Sequence, residues 1–510
     1  MNPPSFPSIR NILIALFTFI FGCGLLFYLV DTSNMMTIVR ASSEAYSINI
    51  IPVSNDDHIY ESLPKSAFSY VAMIDAGSSG SRVHVYRYGR LGAMDGPLYL
   101  LPKHNSKKVK PGLSSFDGAT SMAGESLLDL VSFVKEEIPQ DKWKDSPIWL
   151  KATAGLRLLD KQSSDEILDS VRNFLSDKNK SPFLFHPSYA NIISGNEEGA
   201  FGWLAYNYMK RIIGPKKAPV TIASQLELVT PPSTYTVVEM GGASSQVTQA
   251  APTKKEEANI PPEYKYKLEI NDEKYVLYTH SYLGYGAEQG RESLNKQLVD
   301  SANKGKISDP CLNVGYKRSD NVTRSQVYEG PLGKFNIEGS SKNSSCLKSV
   351  KSLFNKDNST CKGTGPISFN CVYQPNFVPN SPNLMVFENY YYVSTGLGVK
   401  PTTKGSQKVP LITSPENLLA ASNSVCTANW TVVAKTYPKD QQPKDNNLKW
   451  CFSSTFASTF LTDGLNVKHN KKIVIQQSVD GSDVEWALGA ALIEVLDLAK
   501  KAEKTYGMHR

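Results

Sequence analysis

Several common catalytic and binding signatures are missing from this chain. Seven cysteines and seven histidines in 510 residues include no CxxC pair and no His-rich tract, so the spacings that build zinc clusters are absent. No G-x-x-x-x-G-K-[ST] loop occurs, because Gly330-Pro-Leu-Gly333-Lys334-Phe335 fails both the spacing and the final hydroxyl. A D-x-D phosphatase pair is lacking, since Ala76 and Gly77 follow Asp75. No Ser-His-Asp set stands out, and His84 and His280 read as packing or hydrogen-bonding residues. The 55 basic and 48 acidic side chains leave a net charge of only +7. That is dilute for a nucleic-acid binder, and no aromatic residues are interleaved with the basic ones as single-strand binders require. The densest basic patch near the motifs, Lys107-Lys108-Val109-Lys110, reads as a solvated loop.

What is present is a phosphate-loop pattern that occurs twice. Val71-Ala-Met-Ile-Asp75-Ala-Gly77-Ser-Ser-Gly80-Ser-Arg-Val83 aligns with Tyr235-Thr-Val-Val-Glu239-Met-Gly241-Gly-Ala-Ser244-Ser-Gln-Val247. Each copy is an apolar strand ending in a carboxylate, then a Gly/Ser turn, then extended chain. Glycine lets backbone N–H groups approach an anion closely, and serine adds hydroxyl donors. A carboxylate at the strand end can hold a divalent cation, through water if the metal is magnesium. Two such loops facing each other would grip a polyphosphate and its metal from both sides.

These two segments resemble the first and fourth signature regions of the apyrase family, the nucleoside triphosphate diphosphohydrolases. Lys151-Ala-Thr153-Ala-Gly155-Leu-Arg157 is similar to the second, Ser194-Gly-Asn-Glu197-Glu198-Gly199-Ala-Phe-Gly-Trp203 to the third, and Gly481-Ser-Asp483-Val-Glu-Trp486-Ala-Leu-Gly489 to the fifth. The resemblance spans about Phe68 to Val495. It implies an α/β fold of two actin-like (ribonuclease-H-like) lobes with the nucleotide in the cleft between them. It further implies a metal-dependent hydrolase with Mg2+ or Ca2+ as cofactor and nucleoside di- and triphosphates as substrates.

The pattern of elements agrees with such a fold. Tyr70–Ile74 and Val83–Tyr86 read as strands flanking the first loop, and Ile148–Lys151 as another. Leu127, Leu130, Val131 and Val134 follow helical spacing up to Pro139. Ser163-x-x-Glu166 is positioned to form a capping box for a helix carrying Ile167, Val171, Phe174 and Leu175. Strands alternating with helices argue for an α/β sheet. About 450 residues beyond the stem exceed one ordinary core, which predicts two lobes. Lobe I is expected to take 61–200 with 472–510, the run Ala487–Lys500 returning to pack on it, and lobe II 201–471. The Cys-containing stretch after Asn303 shows no clear periodicity.

The N-terminal region predicts a compartment. Asn11 to Val30 is an uncharged run of twenty residues, long enough to span a bilayer. Arg10 before it and Asp31 after it favour a cytoplasmic tail 1–10, a signal anchor 11–30 and a polar stem 31–60. This describes a single-pass type II membrane protein, in the Golgi lumen or, alternatively, at the cell surface or secreted after cleavage. N-x-S/T acceptors stand at Asn321, Asn343, Asn358 and Asn429. Outside the anchor, which holds Cys23, six cysteines remain: Cys311, Cys346, Cys361, Cys371, Cys426 and Cys451. An even set suggests disulfides, with 15 pairings possible. Surface apyrases carry a bridge whose two cysteines are both missing here, one of them replaced by Gly284. The resemblance then favours the sequential pairs Cys311–Cys346, Cys361–Cys371 and Cys426–Cys451.

The resemblance also assigns roles. Ser78, Ser79, Gly80 and Ser81 in one loop, and Gly241, Gly242, Ala243, Ser244 and Ser245 in the other, are expected to cradle phosphates. Asp75 and Glu239 would hold a hydrated metal ion, with Thr153 as a further contact to it. Glu198 would accept the proton of the attacking water, oriented by Ser244 and Gln246, while Glu197 complements the helix dipole. The fourth signature commonly has Asp where this chain has Glu239, which puts metal preference in question. Tyr391, in Phe387-Glu-Asn-Tyr390-Tyr391-Tyr392, is the expected platform for the nucleobase. A Golgi diphosphatase restricted to GDP and UDP is the alternative within this class. An actin-like nucleotide switch or sugar kinase is the alternative outside it.

Overall fold

The structure is a computed structural model that describes residues 50–52, 63–90, 97–213, 234–270, 273–322, 333–342, 344–354, 366–398, 403–404, 407–408, 410–436 and 448–507. The expected anchor at 11–30, most of the stem, Asn343, Asn358 and Cys361 lie outside the described residues. Among the described residues no helix is long and apolar enough to cross a membrane.

Two seven-stranded sheets organise the chain. The first joins β1 (Ile50–Ile51), β2 (Ser69–Ala76), β3 (Ser81–Arg90), β4 (Leu98–Leu100), β5 (Asn105–Val109), β6 (Ile148–Ala152) and β7 (Ala190–Ile192) in the order β1-β4-β3-β2-β6-β7, with β5 also on β3. The second joins β8 (Thr236–Met240), β9 (Ser244–Ala250), β10 (Lys265–Ile270), β11 (Glu273–Leu283), β12 (Leu384–Glu388), β13 (Leu411–Thr413) and β14 (Ile473–Ile475) in the order β10-β11-β9-β8-β12-β14-β13.

The sequence repeat is a structural repeat. β2 turns back antiparallel into β3 and lies parallel to β6, while β8 turns back into β9 and lies parallel to β12. Asp75 pairs with Arg82 across the first hairpin, and Glu239 with Gln246 across the second, the same register in both copies. One bond closes each turn: Gly77 N donates to Gly80 O at 3.0 Å and Gly241 N to Ser244 O at 2.9 Å. β2 and β8 are buried on both faces, as continuous apolar strands at the middle of a sheet must be.

Helices cover these sheets. α1 (Leu128–Glu137) and α2 (Lys161–Ser176) bury Leu130, Val131, Val134, Ile167, Val171, Phe174 and Leu175 in the first core, the spacing anticipated from sequence. The capping box was misplaced, however. α2 starts three residues earlier, with Asp160 as N-cap accepting from Ser163 N at 2.9 Å. Ser163 therefore lies inside the helix, and a stronger acceptor has taken the cap. α3 (Gly195–Met209) is buried from Glu198 onward and packs on β8, β9 and β11 and on the last helix. The expected lobe boundary at 200/201 falls inside this single helix. Its face can press on the second sheet because Gly199 has no side chain: a Cβ there would lie 2.6 Å from Thr248 Oγ1 and 2.7 Å from Thr279 Oγ1.

Two further expectations change. Ile50 and Ile51, counted in the stem, form the buried edge strand β1 on β4; two β-branched residues are too short a run to show a period. The Cys-containing region contains a small sheet of Lys306–Asn313, Gly333–Ser341 and Lys317–Val322. It is stapled by Cys311–Cys346, and Cys426–Cys451 joins two neighbouring helices, Pro415–Thr427 and Trp450–Thr459. Cys371 is also disulfide-bonded.

Candidate active site

One cleft collects residues from all five signature segments. It is lined by the first loop (Asp75, Gly77–Gly80), by Thr153, Glu198 and Glu239, and by the second loop, Gly241–Ser244. Arg82, Lys108, Glu388, Glu485 and Trp486 complete its wall. Ser81 and Ser245 are buried behind their loops, and Ser245 Oγ donates to Tyr285 O at 2.7 Å. Ser245 therefore tethers the second loop rather than facing the cleft.

The local fold separates the two adjacent glutamates at the start of α3. Ser194 is the N-cap: its Oγ accepts from Glu197 N at 3.1 Å, and Ser194 N donates back to Glu197 Oε2 at 2.8 Å. This reciprocal capping box occupies Glu197. Glu198, one position on, faces the cleft with 6 % of its surface exposed. Arg157 Nη2 donates to Glu198 Oε2 at 2.8 Å, and Arg157 Nη1 donates to Ile193 O at 3.0 Å. Burial raises the Glu198 pKa, opposed by the Arg157 charge.

Ser244 and Gln246 form one polar unit beside it. Gln246 Nε2 donates to Ser244 Oγ at 2.6 Å and to Ser281 Oγ at 3.1 Å. Arg157 Nη2 lies 3.4 Å from the same Ser244 oxygen. Ser244 thus accepts from its neighbours, and its hydroxyl hydrogen remains available to the cleft. Gln246 Oε1 is buried without a partner among the described residues.

The carboxylates are in excess. Asp75, Glu198, Glu239, Glu388 and Glu485 line one cleft against the three cations Arg82, Lys108 and Arg157, the last bonded to Glu198. Burial, then the charges of Glu198 and Glu485, hold the Asp75 pKa well above its ordinary value. Burial, then Glu198 and Glu388, do the same to Glu239. Burial and Glu485 push Glu388 up to about 7. Asp75 Oδ1 and Glu239 Oε2 are buried with no hydrogen-bond partner among the described residues. Two orphaned carboxylate oxygens in an anionic cleft fit a divalent cation, which would relieve both the repulsion and the missing contacts.

Sequence reasoning missed several of these residues. Lys108 was read as part of a solvated loop. It is exposed but sits on strand β5 and lines the cleft beside Gly80, where a Cβ would lie 2.9 Å from its Cε. Glu388 has no loop motif to announce it. It adopts φ 59°, a strained conformation for a non-glycine residue. Gln477 holds it there, accepting from Glu388 N at 2.9 Å and donating to Glu388 Oε1 at 3.3 Å. The helix that follows, α5 (Asn389–Gly396), carries the three tyrosines of the expected aromatic platform. Tyr390 is buried and Tyr391 packs partly buried on the second core, whereas Tyr392 is 38 % exposed, with charges of Glu388 and Arg82 beside it. A helix turns about 100° per residue, so adjacent tyrosines differ in burial, although the Tyr391 and Tyr392 rings still meet edge to face at 5.8 Å. Asn429 is exposed, and Asn321 lies in a strand of the small sheet.

Comparisons with known proteins identify the family. The sequence model of the GDA1/CD39 (nucleoside phosphatase) family matches residues 62–504. A guanosine-diphosphatase of Schizosaccharomyces pombe is 30 % identical over 86 % of this chain and 76 % of its own length. Ectonucleoside triphosphate diphosphohydrolase 1 of Rattus norvegicus is 28 % identical over 90 % of this chain and 87 % of its own. A crystal structure of nucleoside triphosphate hydrolases from Neospora caninum superposes with a TM-score of 0.60 at 17 % identity, covering 86 % of this chain and 94 % of that one, which shows a shared fold. With the family matched along nearly all the folded chain and both phosphate loops in place, this protein belongs to the GDA1/CD39 (nucleoside phosphatase) family and is a nucleoside phosphohydrolase.

Proposed function

We propose that the cleft hydrolyses the terminal phosphate of nucleoside di- and triphosphates by attack of a water held against Glu198, with Mg2+ or Ca2+ as cofactor. The observation that carries this reading is the pair of phosphate loops converging on one cleft with Glu198 buried between them. Asp75 and Glu239 would hold the cation through water, with Thr153 beside them. When bound it neutralises phosphate oxygens and the surplus carboxylate charge. The backbone N–H groups of the two loops, with Ser78 and Ser79, grip the phosphate chain, and Lys108 and Arg82 add positive charge to the same wall.

Glu198 accepts the proton of the attacking water at its carboxylate. Arg157 holds that carboxylate in place, and its charge opposes the rise in pKa that burial causes. Ser244 and Gln246 present a hydroxyl donor and an unpaired amide oxygen to orient the water. Tyr392, rather than Tyr391, offers an open ring face for the base. Stacking accepts any base, so the substrate is defined by its phosphates.

The chain would be organised as two lobes divided before α3. The similarity to a guanosine-diphosphatase supports diphosphates as substrates, and GDP and UDP left after glycosyl transfer as the narrower physiological set. Disulfides and the exposed sequon at Asn429 support a luminal or extracellular catalytic region. The uncharged run at 11–30 would anchor it to a membrane as a type II protein, with the Golgi lumen as the proposed compartment.

The test is phosphate release by the purified catalytic region from GDP, UDP, ADP, ATP and GMP, with and without EDTA. Cleavage of several di- and triphosphates, lost on chelation and restored by Mg2+ or Ca2+, is expected. Metal-independent cleavage, or monophosphates turned over as fast as diphosphates, would contradict the two-loop reading.

A further inference from the structure

A second cluster of metal-ligating groups stands beside the phosphate machinery. It is formed by His84 on β3, His104 just before β5 and Glu485 just before the C-terminal helix α6 (Trp486–Gly507). His84 Nδ1 lies 2.9 Å from His104 Nε2 and 2.8 Å from Glu485 Oε2, and the last two atoms are 3.8 Å apart. The side chains of His84 and Glu485 are 1 % and 8 % exposed. The other such group, Cys346, Cys426 and Cys451, is accounted for by disulfides.

Hydrogen bonding alone does not satisfy this triangle. The carbonyl of Pro102 can only accept, so the 2.8 Å contact requires His104 Nδ1 to carry the ring hydrogen. With Nδ1 bonded to that carbonyl, the His104 ring turns the lone pair of its Nε2 toward His84. Glu485 Oε2 faces the same His84 nitrogen at 2.8 Å and has no other hydrogen-bond donor among the described residues. His84 Nδ1 can offer one hydrogen, and one hydrogen cannot be aligned on two acceptors.

A metal ion would replace that single proton and use all three lone pairs. Ligands about 2.0–2.1 Å from a zinc ion stand roughly 2.8–3.4 Å from one another on an octahedral or tetrahedral face. The observed edges of 2.8, 2.9 and 3.8 Å bracket that size. The surrounding contacts are those that orient ligands: Pro102 O fixes the His104 ring, and Arg82 pairs with the other Glu485 oxygen. Two imidazoles with one carboxylate favour a borderline ion such as zinc over magnesium or calcium. Glu485 also lines the cleft, which supplies an entry path.

We propose that His84, His104 and Glu485 form a zinc site, distinct from the Asp75–Glu239 pair, which ties the segment before α6 to the first sheet. Its ligands come from three separate segments, so no sequence spacing announces it.

The untagged full chain should be equilibrated with zinc-buffered solution in excess Mg2+, then measured for zinc content and zinc-edge X-ray absorption. One zinc per chain with imidazole scattering is expected. His104→Gln and His84→Gln should each weaken zinc binding by more than the ~10–100-fold that loss of an outer contact costs. If either variant misfolds, the absorption spectrum of the unaltered chain decides alone. No retained zinc, equal affinity in both folded variants, or an oxygen-only shell would overturn the proposal.

Discussion

Gly286→Ala should damage catalysis without touching any group that meets the substrate. Gly286 sits under the second phosphate loop, where a Cβ would lie 2.3 Å from Gly242 C and O and 2.5 Å from Ala243 N. Reaching ordinary contact requires a shift of about 1 Å, since carbon atoms rest at roughly 3.5–4.0 Å. The loop is held from other sides: Ala287 N and Glu288 N, opening the helix α4 (Ala287–Asp300), donate to Gly241 O and Gly242 O at 2.9 Å each. Gly284 N donates to Ala243 O at 2.9 Å, and Asn389 Nδ2 to Met240 O at 2.8 Å. The added methyl group must therefore displace the loop or break these bonds. Overpacking of this kind costs about 1–3 kcal/mol of stability. A misplacement of ~1 Å in a catalytic constellation costs about 10²-fold in rate. The control is Gly118→Ala, at φ +84° with no atom within 4 Å of the new Cβ. It should cost about 1–2 kcal/mol in backbone strain and leave turnover unchanged. Urea unfolding and phosphate release from GDP measure both effects. A folded Gly286→Ala protein with unchanged kcat/KM would refute the claim that the second loop must stand where this structure has it.

Four other substitutions probe three separate links. Arg157→Met removes the cation that opposes burial at Glu198, so its carboxyl holds a proton to higher pH; the acid limb of the kcat profile should move upward, and an unmoved limb would remove Arg157 from this role. Tyr392→Ala should raise KM for all bases more than it lowers kcat, because stacking is largely uniform binding, whereas Tyr391→Ala should mainly lower stability; the reverse outcome in steady-state kinetics would restore Tyr391 as the platform. Burial lowers His280 from 6.5 to about 4, so between these values the unfolded chain takes up a proton that the folded chain refuses. Stability is thus full above about pH 6.5 and declines as pH falls toward 4. His280→Phe should flatten part of that decline in urea titrations, leaving the share due to His104, which shifts in the same direction.

The two loops were legible because one short pattern encodes both a turn and a register. The carboxylate, the turn and the return strand lie within a dozen residues, and hairpin pairing follows from the turn itself. Helices α1 and α2 were legible through their apolar spacing, but the start of α2 was not. Asp160 and Ser163 both suit an N-cap, and only the backbone geometry selects between them. The same rule, applied at Ser194-Gly-Asn-Glu197, would have found the capping box that actually forms and explained why Glu197 and Glu198 differ. Arg157 was quoted within its motif without a role, because its partner Glu198 lies on another element. Glu388, Glu485 and His104 were invisible for the same reason, since long-range convergence leaves no local period. Tyr391 and Tyr392 are neighbours in sequence, and only the phase of α5 decides which one is exposed.

The most direct test of the account is Glu198→Gln. Glutamine keeps the shape and can still accept from Arg157 through its amide oxygen, but it cannot take a proton from water. Phosphate release in single-turnover assays with GDP should fall by ~10²–10⁴-fold. Nucleotide affinity, read by calorimetry with Mg2+, and the urea midpoint should stay close to those of the unaltered protein. Near-normal hydrolysis by the folded variant would contradict Glu198 as the base, and with it the central reading of this cleft.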